Sequence, residues 1–371
     1  MYVENKKISS RQMFRLYVFD LMGIATLLLP PYVSRLCGVD GVIAILAGTG
    51  LGFLYLFYLG WVMKQMKSDL PAFLKNRTNL FIQSIFFLCV LVHSILTAGF
   101  CAYIFGDLMQ YTLVQESAMY ILLLVIVFVA AYAVSGGIES RARIYEVLFW
   151  VVLIPYIAMM LATVKDFKIN YWQGFLETDG GDFVKGVYLV FLFLTPLFFS
   201  LFLIGEKEKN YGRNAVKTVS LSVGVSALIL FGSYILLLGN FGTQALSSMR
   251  YPVVTIMSTV QFKGNFLKRM DAFMLAVWFF TLYALLNLHL HYAVNMFGEL
   301  WQNCRKRSSS TKSKFWGVAV PAVGVYIVAY VMYQFSELRA LFLQYYSYVA
   351  VPFMIAVPGV LLLLGRKKNE K

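Results

Sequence analysis

Charge is scarce in this 371-residue chain: Asp, Glu, Lys and Arg together make up 13%, against about a quarter in a soluble domain. That shortage excludes an ordinary water-soluble globule. Histidine (3) and cysteine (4) are few. Cys37, Cys89, Cys101 and Cys304 show neither C-x-x-C nor metal-ligand spacing, which excludes a zinc module or a dithiol redox pair. They lie in or beside apolar runs and are expected to pack as small apolar residues. There is no phosphate-binding glycine loop, no H-E-x-x-H and no nucleophile with a base at recognisable spacing. No enzyme and no cofactor are therefore expected. The N-terminal MYVENKKISSRQ is polar and lacks the short apolar core of a cleavable signal. Acidic residues are outnumbered, 18 against 32 basic ones, for a net charge of +14. The excess falls between apolar runs and not on a polar domain, which excludes a nucleic-acid module and fits a chain lying in a lipid bilayer.

What the chain does have is apolar sequence. Hydrophobic residues reach 60% and the mean hydropathy is +0.71. Bilayer spans need about 20 apolar residues each, and ten such runs are legible, near 13–36, 41–63, 80–106, 117–135, 144–164, 184–205, 218–239, 272–297, 315–335 and 341–364. The longest connections are 165–183 and 240–271, the latter with room for a short helix from Pro252 to Phe262. The expectation is an all-α polytopic membrane protein in a single domain. With the N-terminus inside, 23 of the 32 Lys and Arg fall on the inner side, which predicts both termini in the cytoplasm. The basic run CRKRSSSTKSK (304–314) reads as a solvated inner loop.

Two spans look built to break. The first, with DLMGIATLLLPPYVSR, carries Asp20, Gly23 and the pair Pro30–Pro31; the sixth carries Thr195–Pro196 near its middle. Ten spans divide into two sets of five, repeat one about 13–164 and repeat two about 184–364, of opposite orientation. Breaks at matching positions of two such halves point to a binding site at mid-membrane, because freed backbone groups are tolerated only against protein or a polar cavity. Candidate ligand-binding residues are therefore Gly23, Ile24, Ala25 and Thr26 with Phe193, Leu194, Thr195 and Pro196.

Polar residues inside spans add to the list. A charged Asp20 at mid-membrane costs ~2.5–3.5 kcal/mol, so it faces protein or water. It is either a cation or hydrogen-bond acceptor at the break, or the structural partner of Arg15, Arg141 or Arg143. His93 and Thr97 lie mid-span in the third run as possible ligand contacts or packing residues. In ALLNLHLHYAV, His289 and His291 point about 200° apart and cannot share one ion, whereas Asn287 and His291, four apart, share a face. No metal site is expected. Glu139 and Arg143 are placed as an i,i+4 pair.

The stretches ISSRQ, LLLPPYVSRLCGVDGVIAILAG, GGIESRARIYEVLF, RYPVVTIM and FLKRMDAFMLAVW, in this order and spacing, resemble the spore germination permease family. These are the GerAB-like B subunits of germinant receptors, within the amino acid–polyamine–organocation superfamily. The resemblance covers nearly the whole chain. It implies a LeuT-like fold of about ten transmembrane helices, a 5+5 inverted repeat with helices 1 and 6 broken. It also implies recognition of a small nutrient, often an amino acid, and assembly with an A subunit and a lipoprotein C subunit in the spore inner membrane. Two departures stand out: Gly23-Ile24-Ala25 replaces the family's frequent Gly-x-Gly, and Thr195–Pro196 stands where many members carry an acid. Three readings remain open: a nutrient-sensing receptor subunit, an autonomous amino acid permease, and a membrane scaffold.

Overall fold

The first helix begins where its cap dictates. Ser9 Oγ accepts a hydrogen bond from the Gln12 N–H at 3.2 Å, and Gln12 Oε1 accepts one from the Ser9 N–H at 3.0 Å. This reciprocal box satisfies two of the orphan donors of the first turn. From there α1 runs Ser10–Cys37. The computed structural model describes residues 8–66, 69–113, 118–202, 211–259, 270–305 and 311–366. Within these ranges the regular structure is helical: α2 (Gly41–Met66), α3 (Leu70–Arg77), α4 (Leu80–Thr112), α5 (Met119–Ser135), α6 (Gly137–Ala162), α7 (Gly180–Leu192), α8 (Tyr211–Ser248), α9 (Pro252–Thr259), α10 (Met270–Arg305), α11 (Thr311–Gln334), α12 (Ser336–Tyr345) and α13 (Val351–Arg366). Residues 306–310 of the basic run and the lysines at 6, 7, 67, 207, 209, 263, 268, 367, 368 and 371 lie outside the described residues.

Among the described residues, eight segments are long and apolar enough to cross a membrane by length and composition. The first, Ser10–Met66, holds both α1 and α2 around a short 3-10 turn at Gly38–Asp40. The shorter α5 adds a further apolar helix. With this many apolar helices, the chain is a multi-pass membrane protein. Large apolar side chains cover its outside: Phe81, Phe128 and Tyr132 on α4 and α5 are all more than 70% exposed. In lipid that exposure carries no penalty, and the packing force between helices comes from close approach and polar contacts instead.

The first span departs from expectation. No break occurs at Gly23, and α1 stays helical through Pro30 and Pro31. The prolines only remove the N–H groups that would have reached the carbonyls of Thr26 and Leu27. Thr26 Oγ1 meanwhile donates back to the Met22 carbonyl at 2.8 Å. Gly23 has another use. A Cβ there would lie 2.6 Å from Thr281 Cβ, so the missing side chain is what lets α1 lie against α10. The seventh helix does stop: α7 ends at Leu192, and the chain resumes as a 3-10 helix over Thr195–Phe202. A second irregularity, a π-helical turn at Tyr346–Ala350, separates α12 from α13.

Three polar ties hold the helix ends. At the start of α1, Arg11, Gln12 and Arg15 all converge on Glu146 of α6, with Arg11 Nη2 2.7 Å and Gln12 Nε2 2.9 Å from its carboxylate. At the other end, Asp40 accepts hydrogen bonds from the Leu176 and Thr178 N–H groups at 2.7 and 3.1 Å. Burial pushes the Asp40 carboxyl up, but the donors from Leu176 and Thr178 outweigh it and hold the group below the ordinary carboxylate range. Asp107 of α4 accepts from Arg250 and Tyr251, anchoring the segment that leads into α9. Glu139 and Arg143 form the expected i,i+4 pair at 2.5 Å.

Candidate functional site

The interruption after α7 is the place where the interior becomes polar. Phe193 and Leu194 close α7 with N–H bonds to the carbonyls of Val190 and Phe191, three residues back. Leu194 rests on Gly52 of α2, whose lack of a side chain makes room for it. Thr195, 2% exposed, donates to the Leu192 carbonyl at 2.8 Å and is hydrogen-bonded to the Tyr346 hydroxyl. The Tyr188 hydroxyl reaches the Ser347 carbonyl from α7. Two irregular segments, one on each side, are thus stitched together where neither has a regular helical ladder. Single-turn π-helices occur often at functional sites.

Against this seam lies a ring cluster. His93 of α4 stacks on Tyr346 with centroids 5.7 Å apart and stands 6.0 Å from His289 of α10, edge to face. His289 in turn meets Phe199 of the 3-10 segment at 5.3 Å, nearly perpendicular. The His289 Nδ1–H donates to the Leu285 carbonyl at 3.0 Å, whereas neither ring nitrogen of His93 has a hydrogen-bond partner among the described residues. Both imidazoles are buried, at 3% and 1% exposure. Thr97, one turn along, spends its hydroxyl on the His93 carbonyl at 2.9 Å.

A second polar group sits beside the α1–α10 contact. Asp20 is paired with Arg141 of α6, both side chains essentially sealed from solvent, and Arg141 Nη2 also donates to the Ala284 carbonyl at 3.1 Å. Of the three arginines weighed for Asp20, Arg141 is the partner; Arg15 goes to Glu146 and Arg143 to Glu139. The guanidinium lies over the Tyr145 ring, 5.4 Å from its centroid. Asp20 is one helical turn from Gly23 and Ile24, and Ala284 is one turn from Thr281, so the ion pair adjoins the place where α1 and α10 touch.

The sequence-derived residues therefore fall in two neighbouring groups. Gly23, Ile24, Ala25 and Thr26 are all buried on α1, with Gly23 against Thr281. Leu194, Thr195 and Pro196 are buried at the α7 interruption, Phe193 is half-buried, His93 stacks on the seam at Tyr346, and Thr97 is buried one turn along α4. Asn287 is buried on α10 at 1% exposure. On the same helix His291 is half-buried and hydrogen-bonded to Asn295, and His289 is the histidine that meets His93. Among the described residues no group of three or more His, Cys, Asp or Glu is placed to hold a metal ion. Sequence reasoning missed Tyr346, Thr281 and the Tyr156–Ser233 hydroxyl pair, 2.5 Å apart between α6 and α8. None of these carries a local motif, since their partners come from distant parts of the chain.

Known proteins resemble this chain in both fold and sequence. A solved Na+-coupled sialic acid symporter, in a substrate-bound outward-open state, superposes with a TM-score of 0.68 over 97% of this chain and 79% of its own, at 12% identity. The fold is accordingly an all-α, multi-spanning helical bundle that resembles the LeuT-like type. Spore germination protein KB of Bacillus subtilis (strain 168) is 21% identical over 381 aligned residues, 100% of this chain and 98% of its own length. Spore germination proteins YndE and A2 of the same organism are 19% and 21% identical, covering 76% and 78% of this chain and 78% and 79% of theirs. All three relatives are spore germination proteins. The family model described as spore germination protein, the spore permease family, matches residues 7–337, and the chain belongs to that family.

Proposed function

We propose that this protein is the nutrient-sensing B-type subunit of a germinant receptor, with a small nutrient, an amino acid, bound at mid-membrane between α1, α4, the 193–202 segment and α10. On this reading there are ten crossings, α1, α2, α4, α5, α6, α7 with its 3-10 extension, α8, α10, α11 and α12–α13, so both termini lie on one side, and the excess of Lys and Arg there supports the cytoplasm. The crossings divide into repeat one, about 13–164, and repeat two, about 184–364. The ligand-contact set is Gly23, Ile24, Ala25, Thr26, His93, Thr97, Phe193, Leu194, Thr195, Pro196 and Asn287. The observation that carries the reading is the seam at Thr195 and Tyr346, where two irregular segments meet beside a buried His93 with no hydrogen-bond partner among the described residues. A buried imidazole left unsatisfied costs about 1–3 kcal/mol, and a ligand that engages it recovers that cost. Binding shifts the balance between two arrangements of the seam, and A and C subunits in the spore inner membrane read the change.

The likeness of fold to a symporter supports a second reading, an autonomous amino acid permease. Ion coupling needs a polar site beside the substrate, yet the 193–202 segment offers Thr195 and no acid. The receptor reading is therefore preferred. In spores, deletion of this chain should block germination to one class of nutrient, and deletion of its A or C partner should give the same defect. The isolated chain in liposomes should accumulate little nutrient. Concentrative uptake by the isolated chain, with normal germination in its absence, overturns the receptor in favour of the permease.

A further inference from the structure

We propose that the Asp20–Arg141 pair is the subsite that reads the two charges of a zwitterionic amino acid, Arg141 taking the carboxylate and Asp20 the ammonium. The inference rests on the ligand-binding reading above and names the groups that would set its specificity. A ligand carboxylate needs desolvated donors, but α1 is helical on both sides of Gly23, so its N–H groups there are committed to carbonyls four residues back. The backbone donors that a break would have freed are not free.

Side-chain donors are. Arg141 commits Nη2 to Asp20 Oδ1 and to the Ala284 carbonyl; among the described residues its Nε and Nη1 make no hydrogen bond of good geometry, the Tyr145 hydroxyl beside them included. Asp20 Oδ2 has no partner among the described residues either. Both side chains are more than nine-tenths buried, at 2% and 1% exposure. The pair thus presents spare donors next to a spare acceptor, at a junction of α1, α6 and α10 one turn from Gly23 and Thr281.

Charge balance selects the ligand class. The pair is neutral as it stands. An anion or a cation added alone leaves one uncompensated charge in a low-dielectric interior, which is the expensive case. A sugar or nucleoside adds only neutral hydrogen bonds to groups whose charge-assisted bonds are the stronger kind. A zwitterion adds no net charge and supplies an acceptor for the guanidinium and a donor for the carboxylate together. The surrounding groups leave that balance intact: Tyr145, Tyr283 and Tyr292 lie near the guanidinium, and His289 comes close from α10.

The test uses the full chain in lipid nanodiscs, with the twenty L-amino acids, glucose and inosine as probes. For any amino acid that binds, the probes also include the amine lacking its carboxylate and the acid lacking its ammonium. The variant is the double Asp20→Asn/Arg141→Gln, which keeps net charge and approximate volume. Amino acid binding is expected, with a loss of roughly 10- to 150-fold for each singly charged analogue, one charge-assisted hydrogen bond. The double variant should lose as much and no longer rank the three probes. Equal affinity for an amino acid and its analogues overturns the subsite, and this arm needs only the unmutated chain. Unchanged amino acid affinity in a folded double variant overturns it too. Binding of a sugar or nucleoside in place of every amino acid overturns the subsite and leaves the receptor standing; binding of no nutrient overturns both.

Discussion

Replacing Gly23 by alanine places a methyl carbon 2.6 Å from Thr281 Cβ and 2.9 Å from the Thr281 carbonyl carbon, closer than real Cβ atoms approach their neighbours. The second contact is backbone, so a rotamer change cannot relieve it and α1 must move from α10. Overpacking of this kind costs ~1–3 kcal/mol, against a gain of ~1 kcal/mol from replacing glycine inside a helix. Gly50 provides the control. It is an exposed helical glycine of α2 with nothing within 4 Å of the position its Cβ would take, so Gly50→Ala carries the gain alone. The two variants should therefore differ by the overpacking cost, about 1–3 kcal/mol. The assay is denaturant-titrated unfolding of the purified chain in mixed micelles. Thr281→Gly in the Gly23→Ala background removes the Cβ contact and should restore part of the loss. If Gly23→Ala is as stable as Gly50→Ala, Gly23 is not a packing residue, and its contact with Thr281 does not account for a glycine in an unbroken α1.

Other outcomes follow from separate parts of the structure. Thr195→Val and Tyr346→Phe should each destabilise, and their double-mutant cycle should show a coupling of about 1 kcal/mol; additive effects mean the seam is not held by that bond. Asp40 has a folded pKa below its ordinary 3.8, so its contribution is complete above that value and is lost as pH falls through the lower folded one. Hydrogen exchange at the Leu176 and Thr178 amides should be slow from pH 7 to 4 relative to Asp40→Asn, with the difference vanishing in stronger acid. A cysteine placed at Ser309 should react with an impermeant reagent only after permeabilisation, and one at Asp179 in intact cells. The reverse pattern contradicts the topology.

The helical spans were legible because lipid demands long apolar runs, and that demand leaves its mark on every stretch of the sequence. The interruption at Thr195–Pro196 was legible because proline near mid-span disrupts the ladder locally. The first span misled for a related reason. Glycine serves equally at a break and at a close helix contact, and only the position of Thr281, 258 residues away, distinguishes the two. Asp20 announced that it needed a partner, and helix geometry alone could not choose among three arginines. The clamp on Glu146 spans 135 residues of sequence, and Tyr346 owes its place to a π-turn with no local signature. What escaped the sequence was pairing across the bundle, not the nature of the individual groups.

The most direct measurement is the structure of the full chain in lipid with a saturating nutrient that it binds. Ligand density is expected between α1, α4, the 193–202 segment and α10, within contact of His93 or Thr195 and with its charged groups toward Arg141 and Asp20. Density found only at the periphery of the bundle, with the interior side chains packed as they are without ligand, contradicts a mid-membrane nutrient site.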